Sequence, residues 1–158
     1  METLQIDKAN ALKAHEEASI KGKSLLENLF GKNVFLKDVK DRIKKFDDVL
    51  NENGISRADF EKSCTGLKPD EIAYKMAKLV CLAFNEGWIP DWTNSIEYKY
   101  TPWFNMGSSS GVGFSYHDCD SWLTGSAVGS RLCFKSSELA KYAGQLFEQE
   151  IYKPLFTI

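Results

Sequence analysis

The residues best suited to chemistry stand in one run, His117-Asp118-Cys119-Asp120. If the run is a strand, alternation places the imidazole and the thiol on one face and the two carboxylates on the other. A thiolate–imidazolium pair is a known type of nucleophile. Such pairs usually join residues from separate elements, however, and need a third group to orient the histidine. No third group is identifiable here, so we predict no catalytic residue.

A metal site at this run is also poorly supported. His117 and Cys119 offer two ligands, whereas structural zinc takes four. The other histidine, His15, belongs to a predicted helix at the far end of the chain. Asp118 and Asp120 could hold a divalent ion or act as an acid–base pair, but paired acids in a turn-rich segment are usually solvated. We predict no metal and no cofactor.

Two glycine-containing segments suggest phosphate binding, but the residues and predicted elements around them do not match the known phosphate-binding motifs. Gly22-Lys23-Ser24 would need a glycine where Glu17 stands, and a strand before it, whereas the flanking pattern is helical. Residues 107–113 could present backbone amides to an anion, but a strand follows them where a dinucleotide fingerprint requires a helix. We interpret that segment as a hairpin loop.

Composition bounds the class of protein. The chain has 158 residues, 43% of them hydrophobic and 27% charged, with a formal net charge of -2, which is typical of one soluble globular domain. The charge argues against a nucleic-acid partner. The scarcity of arginine also argues against it, because arginine is the side chain that best binds phosphates through two hydrogen bonds. The only arginines are Arg42, Arg57 and Arg131.

Location is predicted from what the sequence lacks. The N-terminal residues have no apolar core of a secretory signal. The longest apolar run, 79–84, is far shorter than a membrane span. The four cysteines have no CxxC spacing, which favours reduced, mostly buried thiols. We expect a cytoplasmic protein without a membrane partner.

Apolar periodicity and capping residues predict helices in most of the first 87 residues. Pro69 with the following acids makes the helix at 69–86 the clearest. Ser56 is a predicted cap, and Pro154 is the predicted boundary of the last helix. The predicted helices span 5–30, 38–52, 56–63, 69–86 and 136–152, with a short extended piece at 33–36.

From residue 88 to 135 the pattern changes to that of a sheet. All four tryptophans lie there, among glycines and serines. We predict a turn around Pro90, with Asp91 bonding the backbone ahead of it. Pro102 should lie at a strand end or on an edge. The predicted strands are 96–104, 112–116 and 132–134, with a further one near Trp122. The whole is a predicted single α+β domain (1–158), with N-terminal helices and a C-terminal helix packed on a small, mainly antiparallel, three- to four-stranded sheet.

The sheet segment has more aromatic residues than one small sheet face needs. Tyr98 and Tyr100 share a predicted face. Exposed tryptophan and tyrosine are typical of protein-contact surfaces. Arg131 is the nearby group that could bind an anionic partner through two parallel hydrogen bonds. The candidate binding residues are Trp92, Trp103, Phe104, Tyr116, His117 and Arg131.

Several strings resemble one loosely defined family. They are GKSLLENLFG (22–31), DRIK (41–44), NEGWIPDW (85–92), YTPWF (100–104) and VGSRLCFK (128–135). On these the chain is similar to small uncharacterised proteins encoded by phages and prophages of gut anaerobic bacteria. The resemblance covers most of the chain. It implies a setting, a bacterial host cytoplasm or a virion, and no activity or site.

The leading hypothesis is a non-enzymatic phage accessory protein that binds a host or phage protein through the aromatic surface. A virion structural component, with self-association, ranks close to it. A second class is a small-molecule binder, with a nucleotide-like ligand stacked on Trp103 or Tyr116 and Arg131 at its anionic end. The third hypothesis is a cysteine-dependent enzyme that uses His117 and Cys119.

Overall fold

The structure, a computed structural model, describes residues 7–107 and 113–157. They divide between Arg42 and Ile43 into two compact units. The first contains α1 (Lys8–Glu17), α2 (Ile20–Phe30), a 3-10 turn (Lys32–Phe35) and α3 (Val39–Arg42). The second contains α4 (Phe46–Glu52), α5 (Arg57–Ser63), α6 (Pro69–Asn85), β1 (Lys99–Asn105), β2 (Ser115–Trp122), a 3-10 turn (Ser130–Leu132), α7 (Ser137–Leu146), a π turn (Glu148–Tyr152) and α8 (Lys153–Phe156). Helices beside an antiparallel pair of strands confirm the α+β class.

The first unit corrects the single helix predicted at 5–30. Ala18 is extended, and Ser19 starts a new helix by accepting the Gly22 amide at 3.4 Å. The helix breaks here because the serine side chain accepts a hydrogen bond from a backbone amide that would otherwise bond to a carbonyl of the preceding helical turn. Residues 5 and 6 lie outside the described part. The predicted extended piece at 33–36 is also wrong, because Lys32–Phe35 is a 3-10 turn.

His15 is a structural residue of this first unit. Its Nε2 lies 3.0 Å from Glu27 Oε1, and its ring stacks on Phe35 with centroids 4.1 Å apart. The imidazole therefore links α1 to α2 and to the 3-10 turn.

The helix predicted at 38–52 is interrupted. The carboxylate of Asp48 accepts the backbone amides of Lys44 and Lys45 at 3.0 and 3.1 Å, which fixes the start of α4 at Phe46. This local capping replaces helical bonds across residues 43–45. α5 and α6 follow the helices predicted at 56–63 and 69–86 to within one residue at each end, whereas the helix predicted at 136–152 is divided at Leu146 by the π turn. Ser56 Oγ accepts the Asp59 amide at 3.1 Å, and α6 begins at Pro69.

The sheet is a two-stranded hairpin, so the predicted three- to four-stranded sheet is wrong for the described residues. The ladder runs from Lys99 opposite Trp122 to Asn105 opposite Ser115. It is broken by one bulge: Trp103 faces Asp118 and Phe104 faces Tyr116, which leaves His117 as the extra residue on β2.

The predicted strands at 112–116 and 132–134 fare differently. Residue 112 lies outside the described part, and Ser115 begins β2, which runs on to Trp122. Of 132–134, only Phe134 pairs with a described residue: it exchanges hydrogen bonds of 2.7 and 3.0 Å with Tyr100, on the side of β1 that faces away from β2. The pairing stops there because the chain enters α7, whose cap is Ser136.

Pro102 lies on an edge, as predicted. Tyr100 points its N–H and C=O away from β2, toward Phe134. The backbone groups of residues two places apart on a strand point to the same side. The nitrogen of Pro102, which has no hydrogen to donate, therefore faces the side of β1 that no described strand covers. Proline at this position therefore costs the β1–β2 ladder no hydrogen bond.

α7 packs on both strands of the hairpin. The approach is closest at Gly144, where an added Cβ would lie 2.7 Å from Pro102 Cβ and 2.8 Å from Cε2 of Tyr116. Glycine is thus required by space. The helical path continues beyond α7 through the π turn, where the Tyr152 amide reaches the Phe147 carbonyl at 3.1 Å, and into α8. Pro154 does not end the path, because it occupies the first turn of α8, which tolerates proline.

Candidate functional site

The six predicted binding residues do not form one site. Trp103 packs edge-to-face on His117 with ring centroids 5.9 Å apart, and Phe104 does the same on Tyr116 at 6.0 Å. Trp92 lies elsewhere, where its indole N–H donates to Ser130. Arg131 is exposed on the 3-10 turn that begins at Ser130.

Phe104 belongs to the core. It is 5% exposed and lies at the centre of an aromatic cluster. The rings around it are those of Phe114, Tyr116, Tyr152 and Phe156, with centroids between 4.8 and 6.0 Å away. The cluster joins the loop end of the hairpin, where β1 ends and β2 begins, to the π turn and α8. Glu148 adds a polar tie by accepting the Tyr116 amide at 3.0 Å. Phe104 and Tyr116 therefore act by holding the hairpin in place.

Trp103 is the tryptophan, tyrosine or phenylalanine among these candidates that the structure exposes. The residue is 55% exposed, and beside it are Met106 at 56% and Phe156 at 40%. These three border an open groove of about 280 Å³, which we call the Trp103 groove. The rest of its lining is Thr101, Pro102, Phe104, Asp120, Trp122 and Val128.

Strand alternation explains how the floor of this groove forms. Thr101 and Trp103 share one face of β1, and Asp120 lies directly opposite Thr101 on β2. Pro102 points to the other face, against α7. The sequence prediction included Trp103 but missed Met106 and Phe156. Spacing along β1 signals Trp103, whereas only the tertiary path of the last helix brings Phe156 beside it.

The two carboxylates of β2 differ in their electrostatic environment. Asp118 Oδ1 lies 2.8 Å from Lys141 Nζ of α7. That hydrogen bond is the main reason why the pKa of Asp118 is below its ordinary value. Asp120 accepts the amide of its neighbour Ser121 at 2.7 Å and makes no ion pair with any described residue. Among the described residues, it is also the only charged one that lines the groove.

The Asp118–Lys141 pair predicts a measurable pH dependence. In the folded protein the pKa of Asp118 lies below 3.8, so the pair stabilises the fold above that pH and the contribution disappears as the pH falls through the lowered pKa. We expect Lys141→Gln to raise the pKa of Asp118 toward 3.8, as measured by NMR titration of the carboxyl carbon. Asp91 is the control, because the hydroxyl and amide of Thr93 lower its pKa independently of Lys141. A parallel shift at Asp91, or none at Asp118, would contradict the assignment.

His117 and Cys119 have separate surroundings. The strand alternation behind their predicted shared face is interrupted at His117, the extra residue of the bulge, which packs on Trp103. Cys119 is half-buried opposite Pro102, and burial is the main cause that raises the pKa of its thiol. A nucleophilic cysteine needs a shift in the other direction. Within residues 7–107 and 113–157, no three His, Cys, Asp or Glu side chains are grouped so as to hold a metal ion.

Lys99 is a central polar residue that sequence reasoning missed. It is 0% exposed at the start of β1. Its ammonium donates to the carbonyls of Asn94 and Glu97 at 3.3 and 2.8 Å, pairs with the Glu97 carboxylate at 3.2 Å, and lies 5.3 Å from the centre of the Trp92 ring. Glu97 also accepts the Asp91 amide at 3.0 Å. The buried lysine therefore fixes the turn before β1.

The short-range hydrogen bonds of that turn are as predicted. Asp91 accepts both the amide and the hydroxyl of Thr93, at 2.9 and 2.7 Å. Tyr98 and Tyr100 lie side by side with ring centroids 6.1 Å apart, and Tyr98 is exposed. Both tyrosines are outside the Trp103 groove.

In the described residues, no helix has both the length and the apolar composition of a membrane span. No protein-family model, no curated protein and no solved structure matches this chain.

Proposed function

We propose that this chain is a non-enzymatic accessory protein, borne by a phage or prophage, that binds a host or phage protein through the Trp103 groove. The observation behind the proposal is a tryptophan more than half exposed at the border of an open, mainly apolar groove. The phage setting rests on the sequence resemblance. The binding role rests on the groove alone.

Tryptophan is the residue type most enriched at binding hot spots, and it supplies a large contact area with few rotatable bonds. Trp103 is also held in advance. Its strand is fixed by α7 through Gly144, and its ring rests on His117. Little ordering is left to occur on binding, so more of the contact energy goes into affinity.

The groove favours a protein over an anionic small molecule. A nucleotide-like ligand needs a cation for its phosphates. Asp120 is acidic, and Arg131 does not line the groove. A virion component would use the same surface, with a capsid or tail protein as its partner.

The test compares three immobilised proteins in a lysate of phage-infected host cells: the wild type, Trp103→Ala and Tyr98→Ala. Bound proteins are quantified by mass spectrometry, and thermal unfolding shows whether each variant is folded. We expect Trp103→Ala to weaken capture roughly 30-fold, since truncation of a hot spot costs about 2 kcal/mol. Tyr98 is also exposed but lies outside the groove, so Tyr98→Ala should behave as the wild type. Equal capture by all three folded proteins would refute the proposal.

A further inference from the structure

We infer that the Trp103 groove accepts an arginine side chain of its partner, with the guanidinium over the Trp103 indole and against the Asp120 carboxylate. The inference rests on the proposed function and adds the chemistry of the ligand. It makes the partner a protein segment with an accessible arginine.

The charge of the groove favours a cationic ligand. Asp120 is exposed and is the only charged side chain that the described residues contribute to the lining. The nearby carboxylate of Asp118 is ion-paired with Lys141, whereas Asp120 forms no ion pair with the described residues. A partner that covered this carboxylate with apolar atoms alone would pay for its desolvation. A cation offsets part of that loss.

Trp103 and Asp120 are positioned so that one ligand group can contact both. Trp103 faces Asp118 across the hairpin, and Asp120 is two residues further along β2. This makes Trp103 and Asp120 diagonal neighbours on one face, a separation of about 7–8 Å between backbones that long side chains bridge. A planar guanidinium fits between an indole face and a carboxylate, because it stacks on the ring and directs its N–H groups sideways.

The walls of the groove provide for the rest of the side chain. Met106 and Phe156 are apolar and exposed at its border. The methylene stem of an arginine packs on such surfaces while its head stays polar. The groove therefore matches both parts of the residue.

An indole, a carboxylate and a cation already occur together at another place in the protein. At the start of β1, the Lys99 ammonium lies over the Trp92 ring and 3.2 Å from the Glu97 carboxylate. Trp103 and Asp120 supply an indole and a carboxylate, and no described cation lines the groove that they share. The partner supplies the third group.

The experiment titrates the whole protein with N-acetylargininamide and follows the four tryptophan indole N–H signals by NMR. The matched probe is N-acetylcitrullinamide, which keeps the shape and loses the charge. We expect a saturable shift of the Trp103 signal, assigned with Trp103→Phe, and binding about tenfold weaker for citrulline. Asp120→Asn should weaken arginine binding about fivefold or more without a change in thermal unfolding.

Three results would overturn the inference: no shift at Trp103 up to about 50 mM arginine amide, equal affinities for the two probes, or an Asp120→Asn variant that binds arginine as the wild type does. Lysate capture separates the two proposals. If capture is lost in Trp103→Ala but unchanged in Asp120→Asn, the groove binds protein without an arginine. If Trp103→Ala captures normally, the proposed function itself fails.

Discussion

Gly144→Val is expected to lower the free energy of unfolding by about 3 kcal/mol, the upper range for overpacking a filled interior. The first added carbon would already lie 2.7 Å from Pro102 Cβ and 2.8 Å from the Tyr116 ring. The proline ring is stiff, and the tyrosine is held in the Phe104 cluster, so neither yields easily. Valine forms helix better than glycine, but that gain is only a few tenths of a kcal/mol. Urea unfolding monitored by circular dichroism measures the loss.

Gly125→Val is the matched control. Nothing lies within 4 Å of a Cβ added at Gly125, and its backbone is outside the left-handed region. We expect a change within about 0.5 kcal/mol, as for most surface substitutions. If both valine variants unfold at the same urea concentration, the contact between α7 and the hairpin does not limit stability.

Lys99→Met is expected to cost at least about 2 kcal/mol, because two backbone carbonyls lose their buried donor. Methionine keeps most of the aliphatic stem, so the substitution isolates the ammonium and its bonds to Asn94 and Glu97. The Glu97 carboxylate also loses its partner at 3.2 Å. The measurement is again urea unfolding, with tryptophan fluorescence as a second signal because Trp92 lies over the ammonium.

The same substitution at Lys135 serves as the comparison. Lys135 pairs with Glu86 at 3.0 Å, but both side chains reach solvent. An exposed ion pair contributes at most about 1 kcal/mol, so Lys135→Met should be nearly neutral. Equal losses at Lys99 and Lys135 would show that burial of the Lys99 ammonium carries no energetic weight.

The parts of the fold that sequence predicted are those fixed within three residues. Ser56, Asp91 and Ser136 each bond an amide two or three places ahead, and residue type alone signals such a bond. Ser19 makes the same kind of bond and was missed. It stands inside a continuous helical pattern, and nothing in the residues on either side distinguishes a cap from a helical serine.

Other features depend on contacts that are distant along the chain. A lysine is expected at the surface. Lys99 is buried only because the turn before β1 folds back and surrounds its ammonium with acceptors. The predicted strand at 132–134 has suitable residues but space for one bridge. At the candidate site, alternation on β1 indicates Trp103, but no local pattern pairs it with Phe156.

The π turn has a consequence for how this groove arises and is lost. A π turn contains one residue more than the α-helical turn it replaces, and each residue rotates a helix by about 100°. Phe156 faces the groove because that rotation precedes α8. The border of the groove is thus set by a residue count. Deletion of one codon within Glu148–Tyr152 would swing the ring aside with every other side chain chemically intact, and insertion of one codon into a plain helix would create this border in a single genetic step.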